Sequence, residues 1–269
     1  MISLSKDYLI KTEYLSSKGN QLKWNKDNIW HKADNNGYEG LSEYVISKLL
    51  KFSNLKQEEY VDYEIEQISY EGKHILGCRS KNFLKDGQKL ITLQRLYYAT
   101  QEKDLNDVID EIDDTKEKII YLVNTVESLT GIENFGEYLL RLLIIDTLFL
   151  NEDRHFHNIA FIEENDKFLL CPIFDNGAGL LSDTRLDYPL ENDEISMIKN
   201  VKSKTIIEDF DEQLNVMKQL HKVNIEFSFS DKDIIDILNE VKEYDEKICK
   251  RVCKILIHQR QRYLEYFNL

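Results

Sequence analysis

Proline is nearly absent from this chain, which carries 2 Pro and 10 Gly in 269 residues. So sparse a supply of turn formers argues against a turn-rich β fold and for long helices. Cysteine is scarce too: Cys78, Cys171, Cys249 and Cys253 are too few and too scattered for a disulfide framework. Cys249 and Cys253 stand one helical turn apart, so a metal pair with a nearby His is open, but no CxxC spacing supports it and core or surface thiols are the preferred reading. Excess positive charge is missing: 35 Lys and Arg against 49 Asp and Glu leave a net charge of −14, the wrong sign for nonspecific binding to nucleic acid. The opening MISLSKDYLI has no basic n-region and no long apolar segment, which argues against a signal peptide. The most apolar run, residues 139–150, contains Arg141 and Asp146 and is too short to span a bilayer. The expected setting is the reducing cytoplasm, with neither a membrane nor a nucleic-acid partner.

What the chain does have is an ordinary balance of 31% charged and 42% hydrophobic residues, and enough length for one large domain or two lobes around a sizeable core. No internal repeat or low-complexity linker interrupts it. Residues 1–83 read mainly as strands with one helix. In the strand at 28–33, Ile29 and His31 share one face and Trp30 and Lys32 the other. Leu41, Val45 and Leu49 mark an amphipathic helix at 39–50, and further strands are expected at 59–69 and 74–79. Loop signals at 80–83 and 85–88 mark the passage to the second part. From Leu90 onward the reading is predominantly helical, with helices at 115–129 (stopped by Gly131), 137–150, 194–200, 205–220, 231–243 and 245–267. The acidic stretch 104–114 reads as a solvated helix face and loop, and 183–193, with Pro189, as a loop.

The chemistry concentrates in residues 151–179. A helix apolar over most of its surface ends in a polar crowd of Asn151, Glu152, Asp153, Arg154 and His155. Two short apolar runs, 158–162 and 167–170, flank a polar EEND and suggest a hairpin; Asp175 follows, with Gly177 and Gly179 giving backbone freedom near a ligand. Such a hairpin would converge Asp153, Asn158 and Asp175, hard oxygen ligands that suit Mg²⁺ and the phosphates it bridges. A nucleotide site is the first hypothesis. His155 and His157 flank Phe156 with no third His or Cys nearby, poor evidence for a transition metal. Arg154 can pair with a carboxylate or a phosphate, and Asp146 can be a hydrogen-bonding core residue or a catalyst. Asn151 and Glu152 can simply cap and solvate the loop.

Upstream, SSKGNQLK (residues 16–23) is either a hairpin turn or a loop whose backbone N–H groups cover phosphates. Lys32 can lay its stem along Trp30 and reach water, or meet phosphate. Glu43, near the start of the 39–50 helix, can pair with Lys32 or remain a solvated charge; Glu39 is the competing partner.

The run DRHFHN (Asp153 to Asn158), followed by PIFDNGAG (Pro172 to Gly179), resembles the catalytic and metal-binding loops of HipA-like serine/threonine kinases and, more distantly, of phosphatidylinositol 3/4-kinases. Ser16, Gly19, Gln21 and Lys23 match that family's Ser-x-x-Gly-x-Gln-x-Lys loop position by position. The resemblance implies an α+β, two-lobed protein-kinase-like fold, with a small β-rich N-lobe at 1–83 and a larger helical C-lobe at 84–269. It implies ATP and Mg²⁺ as cofactors, and transfer of the γ-phosphate to a Ser or Thr hydroxyl of protein. Asp153 becomes the catalytic residue and Asn158 and Asp175 the metal ligands. Lys32, Ser16, Gly19, Gln21, Lys23 and Glu43 serve ATP binding, while Arg154 and His155 support the loop, His155 by hydrogen bonds to Asp153. Ser16 is an autophosphorylation candidate, and adenine lies against the crossing between lobes. Expected partners are a protein substrate bearing Ser or Thr and a small antitoxin-like or regulatory protein. Two departures stand out: the chain begins only a little before the glycine loop, which puts a toxin role in doubt, and Asn176-Gly177 stands where a Phe-Gly would argue for an aromatic on/off switch. The rival functions are a small-molecule or lipid kinase and an ATP-binding regulatory module without transferase activity.

Overall fold

The computed structural model describes residues 1–10 and 21–268. Its strands and helices, in chain order, are β1 (Ile2–Ser3), β2 (Lys23–Lys26), β3 (Ile29–Ala33), α1 (Glu39–Leu50), β4 (Glu64–Tyr70), β5 (Lys73–Lys81), β6 (Lys89–Thr92), α2 (Leu93–Gln101), α3 (Leu105–Asp110), α4 (Thr115–Thr130), α5 (Phe135–Phe149), β7 (Ala160–Glu164), β8 (Lys167–Leu170), α6 (Glu194–Ile198), α7 (Phe210–Leu220), α8 (Asp231–Glu240) and α9 (Glu246–Arg262). They form two compact units. Unit 1 holds Met1–Asn82, Asp175–Val201 and Ile225–Leu269; unit 2 holds Phe83–Phe174 and Lys202–Asn224. The first crossing falls between Asn82 and Phe83. The chain also returns to unit 1 twice, which a single cut at residue 83 does not provide for.

Unit 1 is built on a five-stranded sheet in the order β1-β4-β5-β3-β2, antiparallel except for the β1–β4 pair. Two of its hairpins close on two-residue turns. Asp27 and Asn28 (φ 54° and 61°) join β2 to β3, and Glu71 and Gly72 (φ 50° and 75°) join β4 to β5. Positive φ at both central residues is the type I′ signature, whose twist matches that of the strands it joins. Trp24, Ala33, Ile68 and Tyr70 are buried on this sheet with Leu4, and the Trp24 and Tyr70 rings meet edge to face at 5.1 Å.

Helix α1 crosses β5 closely enough to need glycine at position 40, while Gly77 is required by the backbone of the neighbouring strand β3. A Cβ on Gly77 would stand 2.0 Å from the Lys32 carbonyl oxygen, and one on Gly40 2.5 Å from the Gly77 carbonyl carbon. That approach seats the first turns of α1 over β3. Helices α6, α8 and α9 complete unit 1, with α8 against α1 and both α6 and α8 against α9.

Unit 2 contains a three-stranded antiparallel sheet, β6-β7-β8, and the helices α2, α3, α4, α5 and α7. The hairpin expected around EEND is present, turned by Asn165 and Asp166 (φ 51° and 59°), and is again of the I′ kind. Strand β6 departs from the helical reading after Leu90: its four residues pair with β7, and Thr92 then caps α2. The helix expected at 205–220 starts only at Phe210, where Asp209 caps it through the Glu212 N–H. Helix α5 is buried on nearly every side, with α4 and α7 packed against it. Several acids read as merely solvated are N-caps: Asp104 for α3 and Asp114 for α4. Among the described residues, no helix is long and apolar enough to cross a membrane. Cys249 and Cys253 are free and partly exposed, and no group of three or more His, Cys, Asp or Glu that could hold a metal occurs among the described residues.

Candidate active site

In unit 1 the site begins with Lys32, the fourth residue of β3, only 6% exposed. Its Nζ lies 2.5 Å from Glu43 Oε1 and 2.7 Å from Asp175 Oδ1, and 3.4 Å from the Tyr63 hydroxyl. The Tyr63 ring also sits under the ammonium at 5.2 Å. Burial alone would drive the Lys32 ammonium to give up its proton; the Asp175 and Glu43 carboxylates overrule it and hold the group well above the ordinary lysine range. Glu43 is a bridge. Its second oxygen, Oε2, accepts the Asn176 N–H at 2.8 Å, so one helical carboxylate fixes both the lysine and the backbone that follows Asp175. Lys23 approaches the other Asp175 oxygen at 3.4 Å, so two ammoniums face two carboxylates and the cluster is charge-balanced.

The backbone after Asp175 is docked on α1. Ser42 Oγ bonds the carbonyls of Asn176 and Gly179 at 3.1 and 3.0 Å, and the Tyr38 hydroxyl donates to the Leu180 carbonyl at 2.6 Å. Asp175 itself has φ 60°, a left-handed conformation that costs a non-glycine residue roughly 1 kcal/mol or more and persists only where the surroundings enforce it. Glu39 settles elsewhere: its carboxylate accepts the N–H groups of Asn35, Asn36 and Gly37 at 3.2, 2.6 and 3.1 Å, so it is a loop cap and not the partner of Lys32. Gln21 is half-buried just ahead of β2. Ser16 and Gly19, and with them most of the proposed phosphate loop, lie outside the described residues.

In unit 2 the loop that carries Asp153 rests on a buried ion pair. Arg154, 1% exposed, donates from Nε and Nη2 to the two oxygens of Asp146 at 2.9 and 3.0 Å. Its Nη1 reaches the carbonyls of Phe174 at 2.5 Å and Asn158 at 3.2 Å. Arg154 therefore pairs with a carboxylate, not a phosphate. Asp146 is the hydrogen-bonding core residue, which Asn151 Nδ2 also meets at 2.8 Å. The planar guanidinium suits this work because its forked donors serve a carboxylate and two carbonyls at once. Phe174 is the last residue of unit 2 before the chain crosses to Asp175.

Asp153 Oδ1 lies 3.1 Å from Lys204 Nζ, a contact for which the sequence carried no signal. His155 Nε2 stands 3.7 Å from Asp153 Oδ2, within Coulombic reach but beyond hydrogen-bond length. The carbonyl of His155 accepts the Asn158 N–H at 2.7 Å. Asn158 Nδ2 donates to the Asp153 carbonyl at 2.8 Å, which closes the DRHFHN loop on itself and turns the amide oxygen away from that bond. Tyr63, Ser42 and Lys204 are the members of these clusters that sequence reasoning missed. Only Tyr63, within an alternating run, had a pattern that could have marked it.

No protein-family model matches the chain, and no curated protein sequence matches it. Solved structures do. A crystal structure of the Helicobacter pylori proinflammatory kinase CtkA matches 98% of this chain over 96% of its own, with a TM-score of 0.61 at 16% identity. HipA from Shewanella oneidensis MR-1, solved with HipB and operator DNA, matches 96% of this chain with a TM-score of 0.51 at 11% identity. This chain spans 63% of that HipA chain, less than two thirds of its length. The fold is that of the HipA-like kinases, as the motifs in residues 153–179 implied.

Proposed function

We propose that the chain is an ATP-dependent phosphotransferase that moves the γ-phosphate to a Ser or Thr hydroxyl of protein. The observation that carries this reading is the buried Lys32 ammonium, shared between Glu43 and Asp175 in a HipA-like kinase fold. An ammonium held this firmly is a fixed positive charge for phosphate oxygens, and the helix glutamate that anchors it matches the pairing kinases need. The residue types also suit Mg²⁺. Asp175 offers a carboxylate and Asn158 an amide oxygen, a small number of hard ligands that suits an ion which keeps several waters. When bound, Mg²⁺ supplies neutralisation of phosphate charge.

The chain's own residues do the rest. Lys32, with Lys23 and the loop at 16–23, holds the phosphates. Asp153 takes the proton of the acceptor hydroxyl as that oxygen bonds the γ-phosphorus and the bond to the leaving ADP oxygen breaks. Binding of ATP, titrated calorimetrically with and without Mg²⁺, tests the assignment. Asp175→Ala is expected to lose about tenfold or more of the magnesium-dependent affinity, roughly 1.4 kcal/mol, while Asp153→Ala binds as the parent does. Undiminished binding by Asp175→Ala would sink it.

A further inference from the structure

Residues 202–208 form a loop whose build is more elaborate than a connection requires. Ser203 and Thr205 are buried at 2% and 4% exposure, while the Lys204 side chain between them is 37% exposed. Ser203 Oγ is a hub: it accepts from Gln213 Nε2 of α7 at 2.9 Å and from the Thr205 N–H at 3.2 Å, and donates to the Thr205 hydroxyl at 3.2 Å. The Ser203 N–H returns to the Glu208 carbonyl at 2.8 Å and ties the loop across its ends, whereas the Lys202–Glu208 carboxylate pair lies exposed and adds little. Two buried hydroxyls thus pin the backbone on either side of one lysine and aim it at Asp153 Oδ1. Beside the lysine a cavity of about 440 Å³ opens within unit 2, lined by this loop, by Phe156 of the DRHFHN run and by Ile109 and Asp110 of α3.

From this arrangement we infer that Lys204 is a positioning residue for phosphoryl transfer. The inference rests on the phosphotransferase reading and deepens it. Lys204 occupies Oδ1 of Asp153, which orients the carboxylate and leaves Oδ2, with His155 Nε2 3.7 Å away, as the oxygen that receives the hydroxyl proton. The hydroxyl oxygen forms its bond to the γ-phosphorus as the bond to the bridging oxygen of ADP breaks. A lysine serves here because its ammonium is a compact point charge that can follow the carboxylate, on a stem held by a rigid loop. A freely moving surface lysine would spend rotamer entropy to do the same.

The test is transfer from MgATP to casein and to the protein itself, with kcat and KM for ATP measured separately. Lys204→Ala is expected to lower kcat by about 10- to 100-fold, since loss of orientation at a reacting group costs on that order, with KM for ATP within about twofold of the parent. Lys204→Arg should restore most of kcat, and Lys202→Ala, in the same loop but paired with Glu208, should behave as the parent. A merely structural lysine would lower thermal stability without this split and without rescue by arginine. If the parent transfers phosphate and Lys204→Ala transfers it equally fast, or Lys204→Arg is as slow as Lys204→Ala, the role given to Lys204 is wrong while the phosphotransferase reading stands. If the parent transfers none, the phosphotransferase reading falls and this inference falls with it.

Discussion

Lys32 Nζ and Glu43 Oε1 meet at 2.5 Å with both side chains out of solvent, at 7% and 1% exposure. A buried pair of this kind is poor evidence for stability, because desolvation offsets most of the attraction, but breaking it strands a charge. Glu43→Ala is therefore expected to cost about 3–5 kcal/mol in chemical denaturation. Glu43→Gln keeps the shape but offers one acceptor to two donors, so its NH₂ must face either the Asn176 N–H or the Lys32 ammonium. It should be destabilised less than Glu43→Ala, while phosphate transfer falls by about tenfold or more, which is 1.4 kcal/mol of transition-state stabilisation. Transfer at the parent's rate by Glu43→Gln would separate this pair from function.

The Asp146–Arg154 pair makes the contrasting prediction. Here both partners are buried, and the pair fixes the Phe174 carbonyl and the loop at 153–158. Asp146→Ala should cost about 3–5 kcal/mol, read from urea unfolding, because it abandons a guanidinium in the core. Arg154→Lys should also destabilise, since a single ammonium cannot serve a bidentate carboxylate and two carbonyls. If Arg154→Lys matches the parent in stability, the scaffold role is wrong.

Asp34 supplies a pH signature. Burial, and then the nearby Glu39 carboxylate, push its carboxyl up to about 7, against the pull of hydrogen bonds from the Gly40 N–H and the Tyr244 hydroxyl. A carboxyl whose native pKa exceeds its unfolded value binds its proton more tightly when folded. Stability is then greatest below the unfolded value and falls as pH rises toward 7, with a slope of up to about 1.4 kcal/mol per pH unit, and levels off above it. Asp34→Asn should lose this component, so that its stability between pH 5 and pH 7 declines less than the parent's. A parent profile that rises over that interval and coincides with Asp34→Asn would contradict the assignment.

How much of this was legible in the sequence depends on the kind of contact. The EEND hairpin, the strand bearing Lys32 and the helix bearing Glu43 were legible because alternation, helical spacing and local turn chemistry act over a few residues. Strand β6 was not, because its pairing with β7 joins Thr92 to Ala160 across a long separation and its four residues carry no pattern of their own. The α1–β5 approach was equally silent, since Gly40 shows its purpose only when the backbones of α1 and β5 are side by side. The choice of Glu43 over Glu39 followed from where α1 begins: Glu39 is its first residue and caps the preceding loop, and Glu43, one turn later, faces the sheet. Lys204 could not be singled out at all. Its neighbour Asp153 lies 51 residues away, and Ser203 and Thr205 look like ordinary loop residues until Gln213 is seen to hold one of them.

The central claim is that Asp153 passes the proton in a transfer of phosphate from ATP to a hydroxyl, and intact mass after incubation with MgATP tests it most directly. The parent, alone or with casein, is expected to yield phosphoprotein, and Asp153→Ala to yield it about 10²- to 10⁴-fold more slowly while still binding ATP. Phosphoprotein formed at equal rates by the parent and Asp153→Ala, or none formed by a parent that binds MgATP tightly, would contradict it.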